Sequence, residues 1–414
     1  MPELDFIIEA QLALVGADLQ ELSDPMLGVK DGRIVLIGPR DGQEPKAGVK
    51  VFRFPGCTVM PGLWNLHVHI QRRHLARSEG TTFRGGAAEV ENQPPALKAI
   101  YAAVNAKAEL NSGVTTIRDC SSGDHISMHL RRAVEAGMLS GPRVISCGMG
   151  IASTGGHETH MYKGAVEADG PDEVAKAVRN EIKLGADFIK LMASGGLGGF
   201  PDRESPRRVE MTDVELAAAI SQAHARDRSV TAHAMGEASI RACINAGIDG
   251  IEHGVELTSE LAAMMKQRNV YFVPTASGVS AVVERMRSAG KTQASEYLHE
   301  HVVQAQRRSI RTAMDSGVLI GAGTDTLGDI VREVVTFGEL GMASRDALKT
   351  ATSNAALICR RGDRTGQLSP GFDADILVTG NSPLEDLNHL RRVAAVFIGG
   401  HIVVGDSAWK SERE

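Results

Sequence analysis

The segment VTAHAMGEASIRACINAGIDGIEHGV, residues 230–255, decides the fold class. It holds two short apolar runs, VTAH and GIEH, and each run ends in a histidine. His233 and His253 are separated by about twenty positions, which is the length of one strand, helix and strand unit. Successive strands of such units are parallel neighbours, so we expect both histidines at the same end of a parallel sheet.

The same alternation of helix and strand recurs from about residue 100 to residue 355. The spacing predicts one helix at 95–111, whose apolar positions form one face (Leu97, Ile100, Tyr101, Val104 and Ala108), and another that opens at the capping box Thr212-x-x-Glu215. Strands are predicted in the run before His67 and at 113–118, 144–147, 187–192, 230–233, 250–253, 270–274 and 318–322. Eight parallel strands favour an α/β fold, a (β/α)8 TIM barrel, over the alternative of an open doubly wound sheet.

Two flanks do not fit the barrel. Residues 1–58, with GVKDGRIVLIG, and residues 366–414, with DILV and AVFIGGHIV, have the pattern of strands and turns. Neither flank has many apolar residues to bury by itself. We therefore predict one small β-sandwich-like domain formed by both termini, and a barrel domain over 59–365.

Composition limits the classes of partner. Hydrophobic residues make up 43% and charged residues 23%, which is typical of a folded globular protein. The net charge of −6 argues against a nucleic-acid partner, and the acidic N-terminus and the lack of a long apolar run argue against a signal peptide and a membrane partner. We expect a cytoplasmic enzyme with a small-molecule substrate, five buried thiols rather than disulfides, and a barrel whose size is compatible with a homo-oligomer.

Ionisable residues that end predicted strands are candidates for chemistry, because barrel enzymes place their sites at the C-terminal ends of the strands. The candidates are His67 and His69 on the first strand, Lys190 on the fourth, His233 on the fifth, His253 on the sixth and Asp325 just after the eighth. Residues two apart in a strand point to the same side, so His67 and His69 can reach one ion. Four imidazoles and a carboxylate suit a divalent metal, with zinc first and manganese, nickel or iron as alternatives. A lysine ammonium among cations would be repelled, so Lys190 must lose its charge or point away.

These motifs resemble those of the amidohydrolase superfamily over essentially the whole chain. The similar segments are PGLWNLHVH (61–69), FIKLMASGG (188–196), TAHA (231–234), IEHG (251–254), GTDT (323–326) and SNAA (353–356), followed by GQLSPGFDADILV (366–378). The resemblance implies that carbon dioxide carbamylates Lys190, which then bridges two divalent metal ions. By similarity, His67, His69, the carbamate and Asp325 hold one ion, and the carbamate, His233 and His253 hold the other. A bridging hydroxide would attack an amide-type carbon, and Asp325 would pass its proton to the leaving nitrogen.

Within the superfamily, TGGH (154–157) and KLMASGG (190–196) look like the imidazolonepropionase-like branch that includes metal-dependent dipeptidases and carboxypeptidases of the prolidase-like type. The resemblance makes His157 a candidate contact to the substrate carbonyl, with an exposed loop histidine as the alternative. Relatives that cleave dipeptides often have Tyr or His where this chain has Met235, which leaves dipeptides, N-acyl amino acids and related amides or carbamates open. Arg241 is read either as a contact to a substrate carboxylate or as a solvated helix charge.

Two rival functions remain. A mononuclear-metal deaminase or cyclic amide hydrolase on the same barrel would use His67, His69, His233 and Asp325, with His253 as an acid or base. Lys190 argues against it, since a carbamate has little use without a second ion. The second rival is a non-catalytic assembly protein that kept the barrel and lost its chemistry. Such a protein would be expected to lack metal ligands, and all six candidates are present here. The sequence contains no HExxH, GxSxG, Walker or GxGxxG motif for other hydrolases or dehydrogenases.

Overall fold

The computed structural model describes residues 3–42, 48–72, 93–159, 163–197, 200, 204–326 and 328–405. Its strands are β1 (Phe6–Val15), β2 (Gln20–Ser23), β3 (Pro25–Lys30), β4 (Arg33–Pro39), β5 (Lys50–Pro61), β6 (Leu63–Val68), β7 (Val114–Asp119), β8 (Arg143–Ser146), β9 (Gly150–Ala152), β10 (Ala165–Glu167), β11 (Ile189–Met192), β12 (Val230–Ala234), β13 (Gly250–His253), β14 (Tyr271–Val273), β15 (Ile376–Gly380), β16 (Val393–Ile398) and β17 (His401–Gly405). Its helices are α1 (Pro95–Asn111), α2 (Ile126–Glu135), α3 (Gly170–Leu184), α4 (Asp213–His224), α5 (Glu237–Ala246), α6 (Ser259–Arg268), α7 (Ala276–Ser288), α8 (Thr292–Leu298), α9 (Gln304–Asp315), α10 (Ile330–Glu339), α11 (Ser344–Thr350) and α12 (Ser353–Ile358).

Parallel strands β6 to β14 form the wall of a barrel. One run has the order β6-β7-β8, and the other has the order β10-β9-β11-β12-β13-β14. The two runs meet where the Asp187 amide donates to the Ser146 carbonyl at 2.8 Å. Apolar strand residues such as Ile117, Leu191 and Ile251 share one hydrophobic core with the surrounding helices. The predicted (β/α)8 architecture is therefore confirmed, with the third strand split into β8 and β9.

The predicted eighth strand at 318–322 is irregular. Its only ladder bridge joins Ile320 to Phe272 among the residues that the structure describes. The segment nevertheless closes the barrel, because the Gly321 amide donates to Phe272 on one side and the Leu66 amide donates to Ala322 on the other, at 2.9 and 2.8 Å. Close approach explains the irregularity: a Cβ on Gly323 would lie 2.7 Å from the His67 Cβ. This closure brings the segment that carries Asp325 beside β6.

Helix α1 forms where the spacing predicted a helix, but the predicted apolar face is not the buried one. Ile100 and Val104 are 59% and 45% exposed. The helix instead buries a face that is partly polar (Lys98, Ala102, Asn105, Ala106, Glu109 and Leu110). Polar groups on that face bond to the first barrel strand and the loop after it, and hydrophobic periodicity alone gives no indication of such contacts.

Strands from both ends of the chain form one sheet. Its order is β17-β16-β15-β5-β1-β3-β4, with β2 paired to β1. Phe6 of β1, Phe52 of β5 and Phe397 of β16 pack together with ring centroids 5.4 to 5.7 Å apart. Neither terminus alone supplies this core. The division into domains at 58 and 366 stays a prediction, and residues 1–2, 43–47 and 406–414 of the predicted terminal domain lie outside the described residues.

Two expectations from composition can be compared with the structure. All five cysteines have free thiols; Cys359 is half-buried and the others are buried. Among the residues described, none of the helices combines the length and apolar character that crossing a membrane requires. The glycine-rich sequence GGLGGF at 195–200 predicts a mobile loop, and its residues Gly198 and Gly199 lie outside the described residues.

A buried amide ties α1 and the eighth segment to the first barrel strand. Asn65 Nδ2 donates to Glu109 Oε1 at 3.1 Å and to Thr324 Oγ1 at 2.8 Å. The Thr324 amide donates back to Asn65 Oδ1 at 3.1 Å. These bonds fix the backbone just before His67 and just before Asp325, two of the residues that the sequence predicts to bind metal.

We expect Glu109→Gln to remove a pH-dependent loss of stability. Burial raises the pKa of Glu109 to about 7, although the bond from Asn65 lowers it in part. Between its ordinary value and 7, the folded protein keeps a proton that the unfolded chain has lost, so the free energy of unfolding falls as pH rises. Glutamine keeps an oxygen that accepts from Asn65, and it has no carboxyl group whose ionisation is disfavoured by burial. In urea titrations, the variant should match the wild type near pH 5 and exceed it by about 1–3 kcal/mol near pH 8.5.

Glu135→Gln serves as the control, because Glu135 lies exposed on α2. A difference between Glu109→Gln and wild type that stays the same at both pH values would contradict the prediction.

Candidate metal centre

The structure brings the six predicted ligands together at the C-terminal end of the barrel. His67 is the last residue but one of β6, His69 follows the end of that strand, His233 lies in β12 and His253 ends β13. The His67 ring centroid lies 5.3 Å from that of His69 and 4.9 Å from that of His253, which is 4.5 Å from that of His233. All four side chains are buried. Such a cluster of buried imidazoles is typical of a metal centre.

The donor atoms fit a divalent ion. One ligand atom from each of His67, His253 and Asp325 lies within 4.8 Å of the other two. His69 Nε2 lies 3.5 Å from Asp325 Oδ1, which brings a fourth donor to the same carboxylate. Nitrogen and carboxylate oxygen atoms are the ligands that zinc and similar ions take in proteins. The residues present therefore fit the predicted metal.

Hydrogen bonds orient the first two imidazoles. His67 Nδ1 lies 2.7 Å from Glu252 Oε2, and His69 Nδ1 lies 2.9 Å from the Ser121 carbonyl oxygen. Because a carboxylate or a carbonyl can only accept, each Nδ1 carries the proton. Nε2 of each ring is thus left bare for a metal, which is the arrangement common to protein metal sites.

Hydrogen bonds also hold the other two imidazoles. His233 Nε2 donates to the Gly195 carbonyl at 3.1 Å, which leaves its Nδ1 bare. His253 Nδ1 lies 2.7 Å from Thr275 Oγ1. Burial lowers the pKa of all four histidines, most strongly for His69, His233 and His253. The rings are therefore neutral near pH 7, which metal coordination requires.

Lys190 points into the same cluster from β11. Its side chain is 1% exposed, and in the described part of the chain its Nζ has no hydrogen-bond partner. An ammonium group buried without a partner is costly, so this atom requires either a change of charge or a ligand. The position of Lys190 at a strand end among the predicted ligands indicated this conflict, and the described part of the structure shows it as a buried nitrogen without a hydrogen-bond partner.

His157 lies beside the cluster, not on an exposed loop. Its ring centroid is 4.1 Å from that of His233, and its Nδ1 lies 3.2 Å from Glu204 Oε1. Burial alone would lower the pKa of His157, but the bond to Glu204 and the nearby Glu158 and Glu210 carboxylates raise it. A protonated imidazole at this place can donate a hydrogen bond toward the metal centre.

A charged network that the sequence motifs did not indicate lies beneath the centre. Glu252 is 0% exposed and contacts His67, Thr231 Oγ1 at 2.6 Å and Arg118 Nη2. Burial alone would raise the pKa of the Glu252 carboxyl, but Arg118 and the bond from His67 hold it below its usual range. The available signal was the presence of charged residues inside two short predicted strands, 113–118 and 250–253, where a barrel interior must pair them.

The two residues considered for specificity lie in different settings. Met235 is 2% exposed and packs in an apolar cluster with Leu197, Val255 and Val302. Arg241 lies on α5 and forms ion pairs with Glu237 and Glu260 at 2.9 and 2.7 Å. The structure therefore favours a solvated helix charge for Arg241.

Comparisons with known proteins agree with this arrangement. Residues 58–403 match the Amidohydrolase family. The chain is 29% identical to ochratoxinase of Aspergillus niger over 432 aligned positions, which cover 96% of this chain and 86% of that protein. The crystal structure of A. niger ochratoxinase superposes with a TM-score of 0.84 at 27% identity and covers 99% of this chain and 98% of that one.

Solved structures of the expected branch are also similar. A Xaa-Pro dipeptidase with bound methionine in the active site has a TM-score of 0.82, and a prolidase complexed with N-methylphosphonate-L-proline has a TM-score of 0.85. Each is 28% identical and covers 97% of this chain and 100% of the other. The resemblance to the prolidase-like branch is confirmed, and with it the TIM-barrel fold class. The chain therefore belongs to the amidohydrolase family and is a hydrolase.

Proposed function

We propose that the protein is a binuclear metal-dependent hydrolase that cleaves an amide-type C–N bond in a small molecule. The observation that carries the proposal is Lys190 Nζ, which is buried among four histidines and Asp325 and has no hydrogen-bond partner among the described residues. Family members generally use metal ions, and the donor set described above fits them. Zinc is the ion we propose first, since imidazole and carboxylate ligands suit it.

Carbamylation resolves the charge conflict at Lys190. The neutral Nζ amine attacks carbon dioxide, an N–C bond forms, and one N–H proton leaves to solvent. The product is an anionic carboxylate that can bridge two cations. His67, His69 and Asp325 would then share one ion with the carbamate, and His233 and His253 would share the other. The bare ring nitrogens of the four histidines support this assignment.

Two ions held there would polarise the amide carbonyl and bring the pKa of a bridging water near neutrality, so that hydroxide is available as the nucleophile. Asp325 takes a proton during attack and returns it to the leaving nitrogen. His157, protonated and beside His233, donates a hydrogen bond to the carbonyl oxygen. Both roles rest on the position of these side chains at the edge of the cluster.

The substrate classes we propose are dipeptides, N-acyl amino acids and related amides or carbamates. Ochratoxinase and prolidase among the relatives support an amide or peptide bond. Met235 and its apolar neighbours, close in sequence to His233 and His253, support a substrate with an apolar group on that side. The net charge of −6 supports a small molecule over a nucleic acid.

A hydrolysis screen by mass spectrometry tests the proposal. The purified enzyme, loaded with zinc and bicarbonate, is incubated with dipeptides, N-acyl amino acids, carbamates, aryl amides, lactams and aminopurines, and bound metal is counted by elemental analysis. We expect release of an amino acid or amine and two ions per chain, with loss of activity after chelation. Ammonia release with one ion per chain would instead establish the mononuclear deaminase.

A further inference from the structure

The turn that follows β14 contains a strained residue. Thr275 has φ 56° and ψ 40°, in the left-handed region. A β-branched side chain is a genuine outlier there, because its Cβ substituents crowd the backbone. Thr275 is also 0% exposed, so contact with solvent does not relieve the strain of this turn. Strain of this kind persists only where the surrounding structure enforces it.

Two buried side chains enforce the turn. Glu333 of α10 accepts hydrogen bonds from the amides of Ala276 at 2.9 Å and Ser277 at 2.6 Å. Gln306 of α9 donates through Nε2 to the Pro274 carbonyl at 2.5 Å and to the His253 carbonyl at 3.1 Å. Residues on both sides of Thr275, and His253 itself, are thus held from two helices.

The Thr275 hydroxyl has one proton and two close neighbours. Its Oγ1 lies 2.6 Å from the Pro274 carbonyl oxygen and 2.7 Å from His253 Nδ1. A carbonyl has no proton to give, so both contacts are hydrogen bonds only if Oγ1 donates to Pro274 and accepts from His253 Nδ1–H. That arrangement leaves His253 Nε2 without a proton.

Two other threonines that precede helices differ from Thr275 in the hydrogen bonds of their hydroxyls. Thr212 and Thr258 precede α4 and α6 with extended backbones, and their hydroxyls accept from the amides of Glu215 and Leu261. Thr275 precedes α7 but makes no side-chain capping bond. Its strained backbone turns the hydroxyl from the usual capping position toward His253.

We propose that Thr275 is a positioning residue whose hydroxyl fixes the tautomer and orientation of His253 so that Nε2 binds the metal ion, and that the strained turn exists to place this hydroxyl. The inference rests on the proposed function, because it requires an ion at His253. It extends that function by naming a group that touches neither substrate nor metal.

Thr275→Val and Thr275→Ser separate the hydroxyl from the shape of the side chain. Valine keeps the branching and the volume but has no acceptor for His253 Nδ1–H. Serine keeps the hydroxyl and lacks the methyl group. We expect the valine variant to bind one of its two zinc ions about 10- to 100-fold more weakly, which is typical when a hydrogen bond that orients a metal-binding histidine is lost. The zinc affinity of the serine variant should stay within about threefold of wild type. Competition against a chromophoric zinc chelator measures both affinities.

Thr258→Val is the matched control, because it removes a threonine hydroxyl that caps a helix. It should lower the melting temperature of the metal-free protein and leave zinc affinity unchanged. Zinc affinity of Thr275→Val equal to wild type, or lowered only as much as in Thr258→Val, would overturn the inference and leave the proposed function intact. A wild-type protein that binds no divalent ion would overturn both.

Discussion

Replacing Lys190 with alanine is expected to lower kcat/KM for the amide that the wild type cleaves by about 10³-fold or more. The carbamate is the proposed bridge between two ions, and an ion contributes several kcal/mol of charge stabilisation in the transition state. Each 1.4 kcal/mol corresponds to about a factor of ten in rate. Steady-state kinetics on the substrate found in the screen, together with metal analysis of the variant, measure the loss and its cause.

The alanine variant also creates space for a substitute. Lys190 is a large, fully buried side chain, so its removal leaves a cavity bordered by the histidines. A short carboxylate such as acetate or propionate should enter that space, replace the carbamate and restore part of the activity. Lys190→Met fills the cavity, so an added carboxylate should not restore its activity. Lys266→Ala, at an exposed position on α6, should retain wild-type kinetics. Full activity of Lys190→Ala without added carboxylate would contradict the mechanism.

Replacing Arg118 with methionine is expected to lower the free energy of unfolding by about 3–5 kcal/mol. Arg118 is buried, donates to Glu252, and also bonds the Leu66 carbonyl at 2.6 Å and the Tyr271 hydroxyl at 2.8 Å. Methionine fills much of the same space but leaves the Glu252 carboxylate in the barrel interior without its counter-charge. Urea unfolding of metal-free protein, with chelator present, isolates this cost from metal binding.

The double variant Arg118→Met with Glu252→Gln distinguishes charge from packing. It removes both charges and keeps an oxygen near His67, so it should recover part of the loss. Arg241→Met breaks two exposed ion pairs, with Glu237 of α5 and Glu260 of α6, and should destabilise the protein far less than Arg118→Met. If Arg118→Met were no more destabilised than Arg241→Met, the network beneath the centre would not contribute to stability as argued.

The strand-end residues were predictable because they obey two simple rules. Alternation in an extended strand places His67 and His69 on one side, and the length of one βα unit places His233 beside His253. Barrel closure then determined where Asp325 had to lie, even though the segment 318–322 forms a single bridge in the described chain. These rules concern backbone geometry, which short sequence windows encode well.

The supporting residues follow no such rule. Strict alternation would point Glu252 and His253 in opposite directions, yet both face the centre because His253 adopts a positive φ of 69°. Glu333 is far from the Thr275 turn in sequence, and its bonds to the amides of Ala276 and Ser277 depend on how α10 packs. The buried face of α1 was misjudged for the same reason: Asn105 and Glu109 are buried because they find hydrogen-bond partners, which only the folded barrel supplies.

The sheet shared by the two termini has a consequence for the order of events on the ribosome. β5 lies between β1 and β15, so the edge of β5 that will receive β15 stays open until residues 376–380 have been synthesised. The aromatic core of Phe6, Phe52 and Phe397 is completed later still. Throughout that interval the nascent chain presents an unpaired, apolar strand edge, which makes elongation the stage most exposed to aggregation and to chaperone binding.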